Sequence, residues 1–295
     1  MPGCHDPDVG KMASPGESFD RFFFTASLVI DFVVCENRMG RKEGVAVKAI
    51  ICIPTYNERK NIGDLIALIR RETEGIDLHI LVIDSASPDG TADEVRRIQE
   101  EDPAVFLICQ SAKLGLGKAY LDGMQWVLTK DYDHVITMDA DFSHHPRYLR
   151  PVLEAADHYE LVIGSRYAQG GKLQDWPLRR RLLSRFANGY ARVLTGLPFS
   201  DLTSGFQCFN TRLLSKLLSC KIHTEGYAFL VELKFLSILQ QASYKEVPIV
   251  FTDRTHGDSK ISKRVILESV LFILRLSALR PKVRKSLKQI RIAGA

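Results

Sequence analysis

From residue 45 onward, strand-like and helix-like segments alternate, and that rhythm restricts the fold more than any other feature of the chain. Residues 47–53 are a continuous apolar run of strand length. Residues 61–71 place Ile62, Leu65, Ile66 and Ile69 on one helical face. Residues 78–83, 105–109, 132–137 and 161–164 repeat the strand pattern, and residues 91–101 and 117–129 the helical one. Strands that alternate with helices of ten or more residues imply a parallel sheet with right-handed crossovers. The expected class is therefore α/β, a single domain with a mostly parallel central sheet flanked by helices. In such sheets ligands bind at the carboxyl ends of the strands. The residues directly after each strand are the candidates for chemistry.

The fourth strand ends in Met138-Asp139-Ala140-Asp141-Phe142-Ser143-His144. Two carboxylates spaced i, i+2 after a strand can share one hard cation, which takes oxygen ligands and often bridges to substrate phosphates. The same pair could instead cap the helix expected near Pro146. After the first strand come Pro54, which ends it, Tyr56, a flat aromatic face, and Glu58, a carboxylate. Asp84 after the second strand suits hydrogen bonds from a base or ribose, whereas Asp89, in the turn 87–90, reads as a helix cap. Lys113, Gly115, Gly117 and Lys118 follow the third strand. They could cradle phosphate or form a plain turn into a helix, and their spacing is not that of a P-loop. His144 and His145 are adjacent and point apart, so structural roles fit them better than a shared metal. Glu232, an acid within an apolar helix, needs a partner if buried; an arginine is the expected one.

A hydrophobic content of 45% with 25% charged residues suits a globular chain of this length. Most of the net charge of +5 arises at the end, where Arg275, Arg280, Lys282, Arg284, Lys285, Lys288 and Arg291 occur without an acid. That end suits contact with anionic lipid or nucleic acid, and equally a solvated, frayed tail. The six cysteines have no CxxC spacing, and Cys52 and Cys109 lie in apolar runs, which points to buried free thiols in a reducing compartment. Residues 1–44 do not share the alternation. They read as a disordered extension whose short apolar run, 22–34, is neither a convincing span nor a signal peptide. Residues 265–279 are apolar over fewer residues than the ~20 a span needs. With the basic end after them they suit an interfacial helix on anionic lipid, the alternative being a core helix packed on the sheet.

Taken in order, IPTYNERKNI, SPDGTAD, KLGLGKAY, MDADFSHHP, IGSRY, WPLRR, DLTSGF and DRTHGDSK resemble the dolichol-phosphate mannose synthases and their bacterial polyprenyl-phosphate counterparts, of glycosyltransferase family 2. The resemblance runs from about Val47 to about Leu274. It implies a GT-A domain over residues 45–279, with a nucleotide half at about 45–142, an acceptor half at about 143–279, and a basic tail at 280–295. It implies that Pro54, Tyr56, Glu58, Asp84, Lys113 and Asp139 bind a nucleotide sugar. Asp139 and Asp141, with Ser143 as a further contact, would hold Mg²⁺ or Mn²⁺. Arg166 and Arg180 would grip the lipid phosphate, joined by Arg254 and Lys260 from the last loop. Asp141, Arg166 and Arg180 would carry the catalysis.

The implied reaction moves mannose from GDP-mannose to dolichyl or polyprenyl phosphate with inversion. The implied place is the cytosolic face of a membrane, held by its surface or by a small anchoring subunit, with no nucleic acid. One departure bears on the donor: relatives carry a second acid where this chain has Ser85. Glucose or another sugar is the nearest alternative. Transfer to a sugar hydroxyl would need a base that is not evident, and a phosphohydrolase built on Asp139 leaves the other motifs without a role. A catalytically silent sugar-nucleotide-binding subunit is the alternative from another class.

Overall fold

The structure, a computed structural model, describes residues 47–224, 226, 228–252 and 263–293. Arg254, Lys260 and the N-terminal extension lie outside the described residues. The alternation gives β1 (Ala49–Thr55), α1 (Arg59–Glu72), β2 (Leu78–Asp84), α2 (Thr91–Glu101), β3 (Val105–Cys109), α3 (Leu116–Val127) and β4 (His134–Thr137). A 3-10 turn (Pro146–Tyr148), α4 (Leu149–Ala156), β5 (Leu161–Ser165), β6 (Lys172–Leu173) and α5 (Leu178–Thr195) follow. The chain continues through β7 (Gln207–Asn210), α6 (Thr211–Ser219), α7 (Ala228–Leu239), β8 (Tyr244–Pro248), β9 (Val250–Phe251), α8 (Lys263–Ser277) and α9 (Arg280–Ala293).

β1 is apolar from Ala49 to Pro54 because both faces of a parallel sheet are covered. Its residues Ala49, Ile50, Ile51, Cys52 and Ile53 have no solvent exposure. The four expected apolar residues of α1 are all buried against the sheet.

The strand order is β3-β2-β1-β4-β7-β5-β8. β1 pairs in parallel with both β2 and β4, so the chain reverses its direction of growth at β1. The carboxyl ends of β1, β2 and β4 thus meet at a topological switch point, where open α/β sheets bind ligands. β7 interrupts the parallel order, running antiparallel to both β4 and β5. Its four residues, Gln-Cys-Phe-Asn, carry no legible period, so the sequence does not announce it. β7 also anchors the loop before it. Phe206 packs so closely on the backbone of β5 that a β-carbon at Gly164 would overlap its ring.

The C-terminal end is helical. The basic tail is a helix: α9 buries Val283 and Ser286, with Leu287 and Ile290 half-buried on the same face. Residues 265–279 contribute to α8, which buries Phe272, Ile273 and Leu276 and exposes Leu271 and Leu274. No helix among the described residues is long and apolar enough to cross a membrane. Cys52 and Cys208 are buried free thiols, but Cys109 is exposed, because β3 is the edge strand.

Candidate active site

The site begins where β1 and β2 end. Asp84 is buried and its carboxylate accepts from Thr55 Oγ1 at 2.9 Å and from the Ser87 amide and hydroxyl at 2.9 and 2.6 Å. It therefore ties the two strand ends together. Beside it lies an open cleft of about 500 Å³ whose wall includes Arg59, Ser87, Asp89, Arg96 and Cys109. Asp89 has a structural role at the start of α2: it precedes the cap residue Gly90 and accepts from the Thr91 amide at 3.0 Å. Ser85, at the position of the departure, donates to Gln110 Oε1 at 2.8 Å, and Gln110 Nε2 donates to Asp122 at 2.8 Å. The hydroxyl is thus tied into a hydrogen-bonded relay that leads out to Asp122. Glu58 accepts from Asn61 Nδ2 at 2.8 Å at the start of α1. Lys113, from the loop after β3, stands 3.8 Å over the Tyr56 ring, so two expected nucleotide-site residues meet in a cation–π contact.

β4 delivers the aspartate pair. The turn after Asp141 passes through Phe142 at φ 62°, in the left-handed region that a bulky residue rarely adopts. That conformation lets the Ser143 amide donate to Asp141 Oδ1 at 3.1 Å. Asn57 and Ala86, after β1 and β2, also have positive φ. Backbone strain of this kind clusters at binding sites. Ser143 is itself buried behind Asp141.

His144 has the structural role expected of it. It is buried and stacks on Phe206, and its Nδ1 accepts from the Asp139 amide at 3.2 Å. An accepting Nδ1 places the ring proton on Nε2, and burial lowers the pKa of the ring. His145 caps the 3-10 turn by accepting from the Arg147 amide. Among the described residues, no group of three or more His, Cys, Asp or Glu could hold a metal unaided. Two carboxylates at a strand end fit a cation that takes its remaining ligands from substrate phosphates and water.

On the other side of the sheet, Arg166 follows β5 and is almost fully buried. Its Nε and Nη2 form a fork on the two oxygens of Asp201, each at 2.7 Å, and Nη2 also donates to Thr203 Oγ1 at 2.6 Å. Asp201 has no exposure, and the guanidinium beside it holds its carboxyl below the usual range against the opposing effect of burial. The charge on Asp139 also favours the charged form of Arg166, so the aspartate pair and this arginine share one electrostatic field.

The loop that carries Asp201 is pinned from below. Glu246 accepts from the Ser200 and Asp201 amides, and Lys234 Nζ donates to the carbonyls of Leu202 at 3.1 Å and Ser204 at 2.7 Å. Asp201 and Lys234 were not picked out from sequence; the polar Asp-x-x-Ser turn and a lysine within the apolar α7 were the available signals. Among the described residues Glu232 does not orient an arginine. It accepts from the His223 and Thr224 amides and the Thr224 hydroxyl, closing the loop ahead of α7, and Asp201 holds Arg166 instead.

Burial pushes the Lys234 ammonium down to about 7. Between that value and its ordinary one the unfolded chain binds a proton that the folded chain does not, so this residue makes stability rise with pH. Thiol and phenol groups whose pKa is raised act in the opposite sense at high pH. The comparison must therefore be with Lys234→Met. The stability of the parent minus that of the variant, from denaturant unfolding, should increase from pH 7 to pH 10. A difference that stays flat would contradict a depressed pKa.

Phe251 joins the two sides of the site. Its ring lies 5.2 Å from His144, 5.2 Å from the Arg166 guanidinium and 5.6 Å from Trp176. Arg180, in the first turn of α5, stacks 3.7 Å over the Trp176 ring. One aromatic side chain thus touches the histidine behind the aspartate pair, the Arg166 guanidinium, and the tryptophan on which Arg180 stacks. Sequence reasoning passed over it because it stands just ahead of the DRTHGDSK motif.

A model of the glycosyl transferase family 2 matches residues 50–218. The chain belongs to glycosyltransferase family 2. Within it, the chain is 39% identical over 225 residues to the polyprenol monophosphomannose synthase of Mycolicibacterium smegmatis, covering 76% of this chain and 84% of that one. It is 37% identical over 229 residues to the undecaprenyl-phosphate mannosyltransferase of Micrococcus luteus, covering 78% and 93%. The solved glucosyl-3-phosphoglycerate synthase of Mycobacterium tuberculosis, in complex with Mn²⁺, UDP and phosphoglyceric acid, matches with a TM-score of 0.57 at 15% identity, over 78% of each chain. The fold of this family member is GT-A, as the resemblance implied, with the antiparallel β7 set into its sheet.

Proposed function

We propose that the chain transfers mannose from GDP-mannose to dolichyl or another polyprenyl phosphate, inverting the anomeric centre. The observation that carries this reading is that Phe251 links a buried arginine clamp, through His144, to an aspartate pair and, through Trp176, to a stacked arginine. The 37–39% identity to enzymes named for polyprenyl-phosphate mannosylation supports it.

The donor would lie across the ends of β1, β2 and β4, against Pro54, Tyr56, Glu58, Asp84 and Lys113. Asp139 and Asp141, with Ser143 beside them, would hold Mg²⁺ or Mn²⁺, which when bound supplies a Lewis acid for the charge growing on the leaving diphosphate. Arg166 and Arg180 would hold the acceptor phosphate close to a second anion. Arginine suits that task because it stays charged and binds phosphate through a planar fork. Nη1 of Arg166 makes no hydrogen bond among the described residues and is the donor left for the acceptor. Arg254 and Lys260 belong to the same proposal as further phosphate contacts. The attacking phosphate oxygen is already anionic, so the site needs no general base. His144, buried and accepting a backbone hydrogen bond, is not placed to be one. Direct displacement on an α-linked donor gives a β-linked product.

α5 supports a membrane-bound acceptor. It buries Asn188, Ala191 and Thr195 against the body and turns Leu178, Leu182, Phe186 and Val193 outward, at 71%, 58%, 71% and 66% exposure. An apolar stripe facing away from its own protein marks an interaction surface. Flanked by Arg179 and Arg185, it suits the interface of a bilayer. The stripe begins beside Arg180, so a lipid held there by its phosphate would have its chain at the stripe. Peripheral attachment to the cytosolic face is the corresponding location.

Arg180→Ala should raise the KM for the lipid phosphate at least about tenfold, the scale of one lost charge-assisted hydrogen bond, and leave GDP-mannose binding unchanged by calorimetry. Equal losses of both would remove Arg180 from the acceptor side.

A further inference from the structure

Beyond the α5 stripe and the catalytic residues, α9 carries a second feature that the proposed reaction does not use. It contains no acid, and Arg280, Arg284 and Lys288 recur every fourth residue and so share one face. That face borders a pocket of about 440 Å³, whose other lining residues are Leu287 and Gly196. Gly196 is the left-handed cap of α5, at φ 72°, and a β-carbon there would stand 3.0 Å from Cγ of Arg280. Only glycine suits both the backbone and the close approach of the arginine. Among the described residues none of the three cations is paired with a carboxylate. Three like charges around one cavity repel each other until an anion joins them. The pocket also lies one turn beyond Val193, where the apolar stripe of α5 ends. Cations at the end of an apolar stripe sit at headgroup level when the stripe enters the acyl region.

We propose that the pocket between the end of α5 and α9 binds the phosphate of an anionic bilayer lipid that is not the acceptor. Its three cations would fix how the α5 stripe lies on the membrane, with Arg180 at the other end of the same helix. The inference deepens the membrane reading of α5 and rests on it. Its test involves no sugar transfer, so its failure would leave the proposed reaction standing.

The test is co-sedimentation of the full chain with phosphatidylcholine vesicles, with and without phosphatidylglycerol. The parent protein should bind the mixed vesicles and hardly bind the zwitterionic ones. Arg284→Ala with Lys288→Ala should weaken that binding by about thirtyfold, as expected for two cations at a charged surface. Lys282→Ala with Lys285→Ala removes the same charge from α9 outside the pocket and should cost less than about threefold. Arg284→Gln alone, a mild exposed change, should already show a loss of about fivefold. Equal losses in the two double variants would mean diffuse attraction and overturn the site. Equal binding of the parent to both vesicle types would overturn it too. Displacement by millimolar inorganic phosphate at constant ionic strength would assign the pocket to a free ion and overturn the headgroup.

Discussion

Asp141→Asn should lower transfer by about a thousandfold or more, the scale of losing a main electrostatic stabiliser of the leaving group. The protein should unfold at nearly the same temperature as the parent. Asparagine keeps an oxygen at the position that accepts the Ser143 amide at 3.1 Å, so the strained turn through Phe142 can persist. What it removes is the negative charge that a cation needs. The same variant should bind Mn²⁺ in the presence of GDP at least about tenfold more weakly, a readout that does not depend on turnover. Asp139→Asn should behave alike, with a further disturbance through His144, which contacts both its backbone and its carboxylate. An Asp141→Asn enzyme within tenfold of the parent would remove the aspartate pair from the chemistry.

Asp201→Ala should damage the fold as well as the reaction. The aspartate has no exposure, and three of its bonds go to one arginine: the Arg166 amide at 3.0 Å and the two arms of the fork. Removing it leaves a guanidinium buried without its counter-charge, with the Lys234 ammonium nearby in the same core. Breaking a buried pair in this way costs about 3–5 kcal/mol. Urea unfolding should show that loss. Arg166→Lys separates the functional part, because it keeps a charge at the same place but cannot make the fork. It should raise the KM for the lipid phosphate and leave GDP-mannose binding intact. An Asp201→Ala protein as stable as the parent would show that the clamp contributes nothing to the fold.

Much of the nucleotide half was legible in the sequence. Its strands are continuous apolar runs and its helices keep a clear period, so β2, α2 and β3 were located to within a residue. Asp139, Asp141 and Asp84 stand directly after such strands, where the topology of a parallel sheet makes position informative. The acceptor half was less legible, because its parts are set by contacts distant in sequence. β7 has four residues and no alternation, and it is fixed by pairing with β4 and β5. Asp201 matters only because Arg166, 35 residues earlier, folds against it. Phe251 matters because its ring meets His144, Arg166 and Trp176, which no local pattern reveals. The helix α9 was not legible from charge alone, which left a lipid-contacting end and a frayed tail equally open. The spacing of Val283, Ser286, Leu287 and Ile290, a helical face, was the signal passed over.

The most direct test of the proposed reaction is transfer of radiolabelled sugar into organic-extractable lipid. The full chain would be given Mg²⁺ or Mn²⁺ and a short polyprenyl phosphate, with GDP-mannose, GDP-glucose, UDP-glucose and UDP-N-acetylglucosamine in parallel. Label should come from GDP-mannose alone, depend on the added cation and be absent with Asp141→Asn. Label from a UDP-sugar would contradict the donor and point to the Ser85 departure as its cause. Absence of label from every donor, with lipid and cation shown to be competent in an assay of a related enzyme, would contradict the catalytic claim itself.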